Sequence, residues 1–367
     1  MKFLRLAFYV LIAQLVLSGC AGEGVEETSS SSSSEINFDA YLGRNASTRS
    51  EVTDNTHLKG TEGNSGFGVF ARYKHTDGTI SPLMLMNNER VTWNKDQKHW
   101  EYTNTRYWPN EGSVDFYAFA PHSAEPKLVS PKDNGNFAIE EPNSTCIYFP
   151  SNMSPVDLVW ANAKNQTKAN NSGDKKVEFT FYHALARLGF DITANQDLEE
   201  NGAVITVNKV ILYGASEISG VFVMAGYLNL ENGAWTLADN GTRWFYTWTP
   251  DGNVDGKENV NENDGTVLKL SASQLDHTND IITNADDSYI FIIPQKKPAN
   301  FNLKITYTVR QGDFEEDVTV TKNLLDVLPG DSNPYFKGGK AYVFHLILSL
   351  DPIDFKVMPT VNEWGKG

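Results

Sequence analysis

Few side chains in this sequence are set for reaction, and the clearest is a thiol. Cys20 closes the run Leu17-Ser18-Gly19-Cys20, in which small residues lead up to a sulfur nucleophile. The other cysteine, Cys146, stands in Cys-Ile-Tyr-Phe (146 to 149), a strand-like setting that predicts a buried, inert thiol. Two cysteines rule out a disulfide framework of the kind that staples small secreted folds, so stability has to come from burial. The histidines, His57, His75, His99, His122, His183, His277 and His345, never fall at metal-ligand spacing with a Cys, Asp or Glu partner. His183, beside Phe181, reads as an interior or turn histidine. Asp251-Gly-Asn-Val-Asp-Gly offers oxygens to Ca²⁺ but no bidentate glutamate at EF-hand spacing, and reads as a solvated loop. No Gly-x-Ser-x-Gly elbow, glycine-rich phosphate cradle or paired-carboxylate motif is present, so no enzyme activity, metal or cofactor is expected. Tryptophans such as Trp93, Trp100, Trp108, Trp235, Trp244 and Trp248 have two readings, a sugar-stacking platform or, more simply, core packing.

The region around Cys20 explains its chemistry. Met-Lys-Phe-Leu-Arg, then an apolar stretch from Leu6 to Leu17 too short to span a bilayer stably, describes a secretory signal. The Leu-Ser-Gly-Cys ending resembles a bacterial lipobox, whose cysteine is acylated and becomes the new amino terminus. Several acyl chains, at roughly 0.8 kcal/mol per buried CH₂, hold such a protein firmly to a membrane. Glu23, Glu26 and Glu27 follow, then polyserine from Ser29 to Ser34, which cannot form a core and reads as a flexible tether. Acidic residues behind a lipidated cysteine resemble the surface-export signal of Bacteroidetes lipoproteins, which implies a cell-surface, outer-membrane location.

Beyond the tether, Ile36, Phe38, Ala40 and Leu42 alternate with polar or small residues, the period of a strand with one apolar face. Arg44 and Arg49 follow in a small, polar stretch of the sort that proteases cut. A cut after either arginine detaches strand 36 to 43, and the Thr-Arg-Ser context favours Arg49.

From residue 67 onward the sequence shows no amphipathic helical window. It shows short aromatic and β-branched runs between Gly, Asn, Asp and Pro clusters, which predicts an all-β protein. Its 367 residues, 40% hydrophobic and 21% charged, suit two packed domains. The Asn- and Lys-rich stretch 161 to 176 reads as a linker or long turn. Val177, Phe179 and Phe181 share one phase and Leu188, Phe190 and Ile192 the other, which predicts a bulge or turn between 183 and 187. The expected organisation is a lipoprotein signal peptide over 1–19, a lipidated tether and first strand over 20–49, and β-sandwiches over 50–172 and 173–367. The formal charge of −15, more acidic still without Lys2 and Arg5 of the leader, repels phosphate backbones and argues against nucleic acid as a partner.

The order of these features resembles the fimbrillin family of Bacteroidetes, subunits of lipoprotein-derived pili. The landmarks are Cys20, the strand at Ile36 with Thr48-Arg49 behind it, the run from Phe67 to Ala71, and Tyr107-Trp108-Pro109 leading into Val114 to Pro121. Val156 to Ala161, Phe181 to Phe190 and Val361 to Trp364 complete them. The resemblance implies two tandem transthyretin-like sandwiches. It also implies assembly by donor-strand exchange: an arginine-specific surface protease removes the first strand, and a neighbouring subunit's strand fills the groove. The donor is then the C-terminal part from Leu346 to Val361, although Asp351-Pro352 and Met358-Pro359 interrupt it and prolines remove ladder donors. Stalk, tip, anchor and accessory positions stay open. Implied partners are other pilus subunits, the protease, the outer membrane and a host or bacterial surface ligand. The competing reading, which needs exposed coplanar aromatics instead of a detachable strand, is a surface glycan-binding lipoprotein of a polysaccharide-uptake system.

Overall fold

The computed structural model describes residues 34–42, 58–59, 66–131, 143–149, 156–173, 175–195, 202–238, 243–252, 266–276, 281–284, 289–328, 335–349 and 356–363. The fold is all-β. The first strands are β1 (Phe38–Leu42), β2 (Phe67–Lys74), β3 (Ile80–Asn94), β4 (His99–Glu101), β5 (Ser113–Ala120), β6 (Leu128–Val129), β7 (Cys146–Phe149) and β8 (Val159–Gln166). Next come β9 (Val177–His183), β10 (Ala186–Ala194), β11 (Val204–Tyr213), β12 (Phe222–Val223), β13 (Gly226–Asn229), β14 (Trp235–Leu237), β15 (Arg243–Trp244) and β16 (Tyr246–Thr249). The last are β17 (Thr266–Lys269), β18 (Gln274–Leu275), β19 (Ile281–Thr283), β20 (Ile290–Ile292), β21 (Asn302–Gln311), β22 (Phe314–Asn323), β23 (Lys340–Leu348) and β24 (Lys356–Glu363).

The first large sheet runs in the order β1-β9-β8-β5-β2-β3-β4. One of its faces gathers Phe67 and Val69 from β2, Val114 and Phe116 from β5, and Phe179 and Phe181 from β9. On the opposite face Phe70, Tyr117 and Phe119 pack against Ile147, Phe149 and Leu228 of the sheet β14-β13-β7-β6. Burial on both faces explains why β2 and β5 read as almost unbroken apolar runs, whereas an ordinary two-faced strand alternates. Gly68 marks a close approach, because a Cβ there would lie 2.4 Å from Asn88 Oδ1 and 2.5 Å from the Phe119 ring across the ladder.

A second sandwich packs β19-β10-β23-β24 against β17-β16-β11-β21-β22. Phe190 and Ile192 of β10 and Phe344 and Leu346 of β23 share its core with Trp248, Ile305 and Tyr307. β21 shows the pattern plainly: Leu303, Ile305, Tyr307 and Val309 are buried, with half-buried Lys304, Thr306 and Thr308 between them. The chain passes from one core to the other at Ala184 and Leu185, both buried between the sheets. There the side-chain phase of β9 gives way to that of β10, within the window the sequence predicts. Of the stretch 161–176 expected as a linker or long turn, residues 161–166 belong to β8, where Ala161 and Ala163 are buried, and 167–173 form a turn in which Asn171 donates its side-chain amide to Gln166 Oε1 at 3.0 Å. β9 pairs with β8 in the first sheet, so that sheet runs past the expected boundary at 172.

Candidate functional site

The alternation at the start of the described chain becomes a seated strand. Ile36, Phe38, Ala40 and Leu42 are all buried in the first core, while Asp39 and Tyr41 face outward. Phe38, 1% exposed, sits at the centre of an aromatic group. Its ring lies 5.6 Å from Phe179 in a stacked arrangement, 5.7 Å from Phe116 edge-on, 5.6 Å from Tyr102 and 6.3 Å from Phe67. Such pairs add about 0.5–1.5 kcal/mol each beyond the area buried.

The backbone of this segment is held on two flanks. β1 pairs in parallel with β9, Phe38 opposite Val177 through Leu42 opposite Phe181, and the Val177 N–H donates to Asn37 O at 2.8 Å. On the other flank the Ile36 N–H donates to Arg106 O and the Trp108 N–H to Ser34 O, both at 2.8 Å. Tyr102 ties the segment to the 106–108 strip. Its hydroxyl donates to Ile36 O at 2.7 Å and accepts from the Arg106 N–H at 3.1 Å. Burial pushes the Tyr102 phenol above its ordinary pKa, and Glu35 and Glu89 act in the same direction. Segment 34 to 42 thus fills a seam between β9 and the 106–108 strip, over a floor of Phe67, Phe116 and Phe179. Of the residues singled out with it, Cys20, Arg44 and Arg49 lie outside the described residues.

The C-terminal part takes a different form. Leu346 ends its run inside β23, and β24 folds back antiparallel, pairing Lys356 with Ile347 and Glu363 with Lys340. It lies at the sheet edge, where Pro359 is tolerated opposite Phe344. Val357 is buried, but Met358 is 51% and Val361 45% exposed. His345 of β23 ties this strand to β23 and on to β10. Its Nδ1 lies 2.7 and 2.9 Å from the two Asp191 carboxylate oxygens of β10, and its Nε2 2.7 Å from Thr360 Oγ1 of β24. Hydroxyl, imidazole and carboxylate stand in the order of a nucleophilic relay, but spread over one sheet surface they act as a cross-strand tie. Sequence spacing could not disclose it, because Asp191 is 154 residues from its partner.

The other candidate residues fall into ordinary roles. Cys146 is buried in β7, with its thiol pushed up in pKa by that burial, as its strand-like setting predicts. His183 ends β9 with Nδ1 2.9 Å from buried Asp157 Oδ1. The tryptophans divide: Trp100, Trp108 and Trp248 are core, whereas Trp93, Trp235 and Trp244 are only partly buried. Among the described residues no three His, Cys, Asp or Glu side chains are grouped to hold a metal ion. The Asp251 loop lies largely outside the described residues.

A family model described as fimbrillin-like matches residues 48–364. A fimbrial protein from Bacteroides vulgatus ATCC 8482 shares the fold, with a TM-score of 0.59 at 19% identity, covering 90% of this chain and 99% of that one. The tip fimbrial protein Mfa3 of Porphyromonas gingivalis matches at 10% identity and a TM-score of 0.35, covering 82% and 95% of the two chains. The fimbrial anchor protein Mfa2 of the same organism matches at 11% and 0.32, over 90% and 97%. No curated protein matches the chain.

Proposed function

Since the chain belongs to the fimbrillin-like family, we propose that it is a structural or accessory subunit of a cell-surface pilus, assembled by protease-triggered donor-strand exchange and serving adhesion. It is exported as an outer-membrane lipoprotein through Cys20. An arginine-directed cut after Arg49 or Arg44 then frees the segment that contains β1, and the protein enters the fimbrium.

The observation that carries this reading is the seat of β1. With Ile36 just before it, its apolar side chains share one core, and the segment's backbone bonds to β9 along β1 and to the 106–108 strip through Ser34 and Ile36. A groove emptied of that strand leaves unpaired ladder groups and an exposed aromatic floor, and a strand from another subunit satisfies both at once. Four apolar residues at ~1.5–3 kcal/mol each make the exchange worth on the order of 6–12 kcal/mol before ordering costs, enough for a long-lived joint. The C-terminal strand is the natural donor, because leaving the sheet edge uncovers little apolar surface.

Limited digestion with an arginine-specific protease, followed by sizing over a range of concentrations, tests the scheme. The expected result is one cut near residue 49 and oligomers that grow with concentration. An amino terminus left intact, or a cleaved product that stays monomeric throughout, overturns it.

A further inference from the structure

A second concavity, of about 950 Å³, opens where β8 and β9 meet the β13–β14 hairpin and the segments 294–300 and 337–338. That volume is at the upper end of what small-ligand sites enclose. Three aromatic side chains shape it: Trp160, Tyr182 and Trp235. The Trp160 and Tyr182 rings lie 5.7 Å apart and 39° from parallel, and Tyr182 is 55% exposed. The Trp235 indole is fixed by donating Nε1–H to Ala184 O at 2.9 Å. Gly233, at φ +72°, brings the hairpin backbone onto the Trp160 ring so closely that a Cβ there would lie 2.4 Å from it. The rings are thus built into the wall.

The charge of this cleft is opposite to that of the molecule. Arg243, Lys296, Lys297 and Lys337 line it, and no Asp or Glu does among the described residues, in a chain of 46 acidic against 31 basic side chains. Asn232 and Asn300 add amides that both donate and accept. Flat ring faces suit the C–H face of a pyranose, amides suit its hydroxyls, and clustered cations select an acidic substituent. An extended peptide would need a strand edge to add to, and β14 offers three residues.

We propose that this cleft binds an acidic saccharide, stacking a pyranose ring on Tyr182 and Trp235 and pairing its carboxylate or sulfate with Lys296 and Lys337. The site does not depend on polymerisation, so it can stand or fall separately from strand exchange.

Titration calorimetry on the uncut chain tests it with four probes: 3′-sialyllactose, a galacturonic acid trisaccharide, a sulfated heparin disaccharide and neutral lactose. At least one acidic probe should bind saturably and about tenfold or more tighter than lactose. The first two report a carboxylate preference and the third a sulfate one. Lys296→Ala with Lys337→Ala, both at exposed positions, should erase that preference. Tyr182→Ala should weaken acidic and neutral probes alike by about tenfold. Saturation-transfer NMR on the unmutated protein reads the stacking without any variant: irradiating aromatic resonances should label the pyranose ring protons. No saturation by any probe up to about 10 mM, or unchanged binding in Tyr182→Ala, overturns the proposal. Equal competition by hexaglutamate also overturns it, by assigning the cleft to acidic peptides.

Discussion

The first and last strands of the described chain both lie at sheet edges, yet they are held by opposite means. β1 is bound by what it buries: every second side chain enters an aromatic core, and both flanks of the segment that carries it make backbone bonds. β24 is bound by its ladder to β23 and by the polar tie through His345, with most of its side chains facing solvent. A strand held by buried apolar area leaves a costly void when it goes, whereas one held by exposed hydrogen bonds trades them for bonds to water at little net cost. One edge is therefore held by its buried core and the other by its ladder, the difference that the proposed exchange would use.

That contrast can be broken experimentally. Phe38→Ala removes four ring contacts and should lower stability by about 3–5 kcal/mol in denaturant titration, while Met358→Ala on β24 should stay within about 0.5 kcal/mol. Comparable losses at the two sites would erase the distinction. Tyr102→Phe leaves the Ile36 carbonyl and the Arg106 N–H without their hydroxyl partner and should cost about 1–3 kcal/mol. The same phenol gives a pH test. Because burial raises its folded pKa, its contribution is complete below the ordinary value near 10 and is lost as pH climbs past that value toward the raised one. In Tyr102→Phe this part of the alkaline loss should vanish. Thr360→Val, the mildest change, should cost about 0.5–1.5 kcal/mol. It should speed amide exchange in β24 while leaving β1 protected. Faster exchange in β1 as well would mean that the two edges open together.

The apolar stripe of β1 was legible because strand periodicity is written locally: Ile36, Phe38, Ala40 and Leu42 announce which face is buried. The phase switch near 184 was legible for the same reason. The partner was not. β1 meets β9 across 139 residues, from Tyr41 to Thr180, and the flank at 106–108 closes the seam from a third part of the chain. Local pattern fixes a strand's faces but not its neighbours. The stretch 161–176 illustrates the reverse difficulty, since Asn- and Lys-rich composition serves the end of β8 and a turn within a sheet as well as a link between domains. The cationic cleft left no trace in the sequence, because Arg243, Lys296 and Lys337 are far apart along the chain and converge only in the fold.

The two-sided hold on segment 34 to 42 also bears on how fast anything can replace it. A chain arriving at the seam finds no open ladder along residues 34 to 36, where the 106–108 strip already bonds the backbone. Under the proposed exchange, an invader would have to part residues 38 to 42 from β9 and residues 34 to 36 from the 106–108 strip, two separate ladders. Cutting the chain and losing the strand would then be separate events, and a nicked protein would persist as a loaded intermediate until an invader reached it.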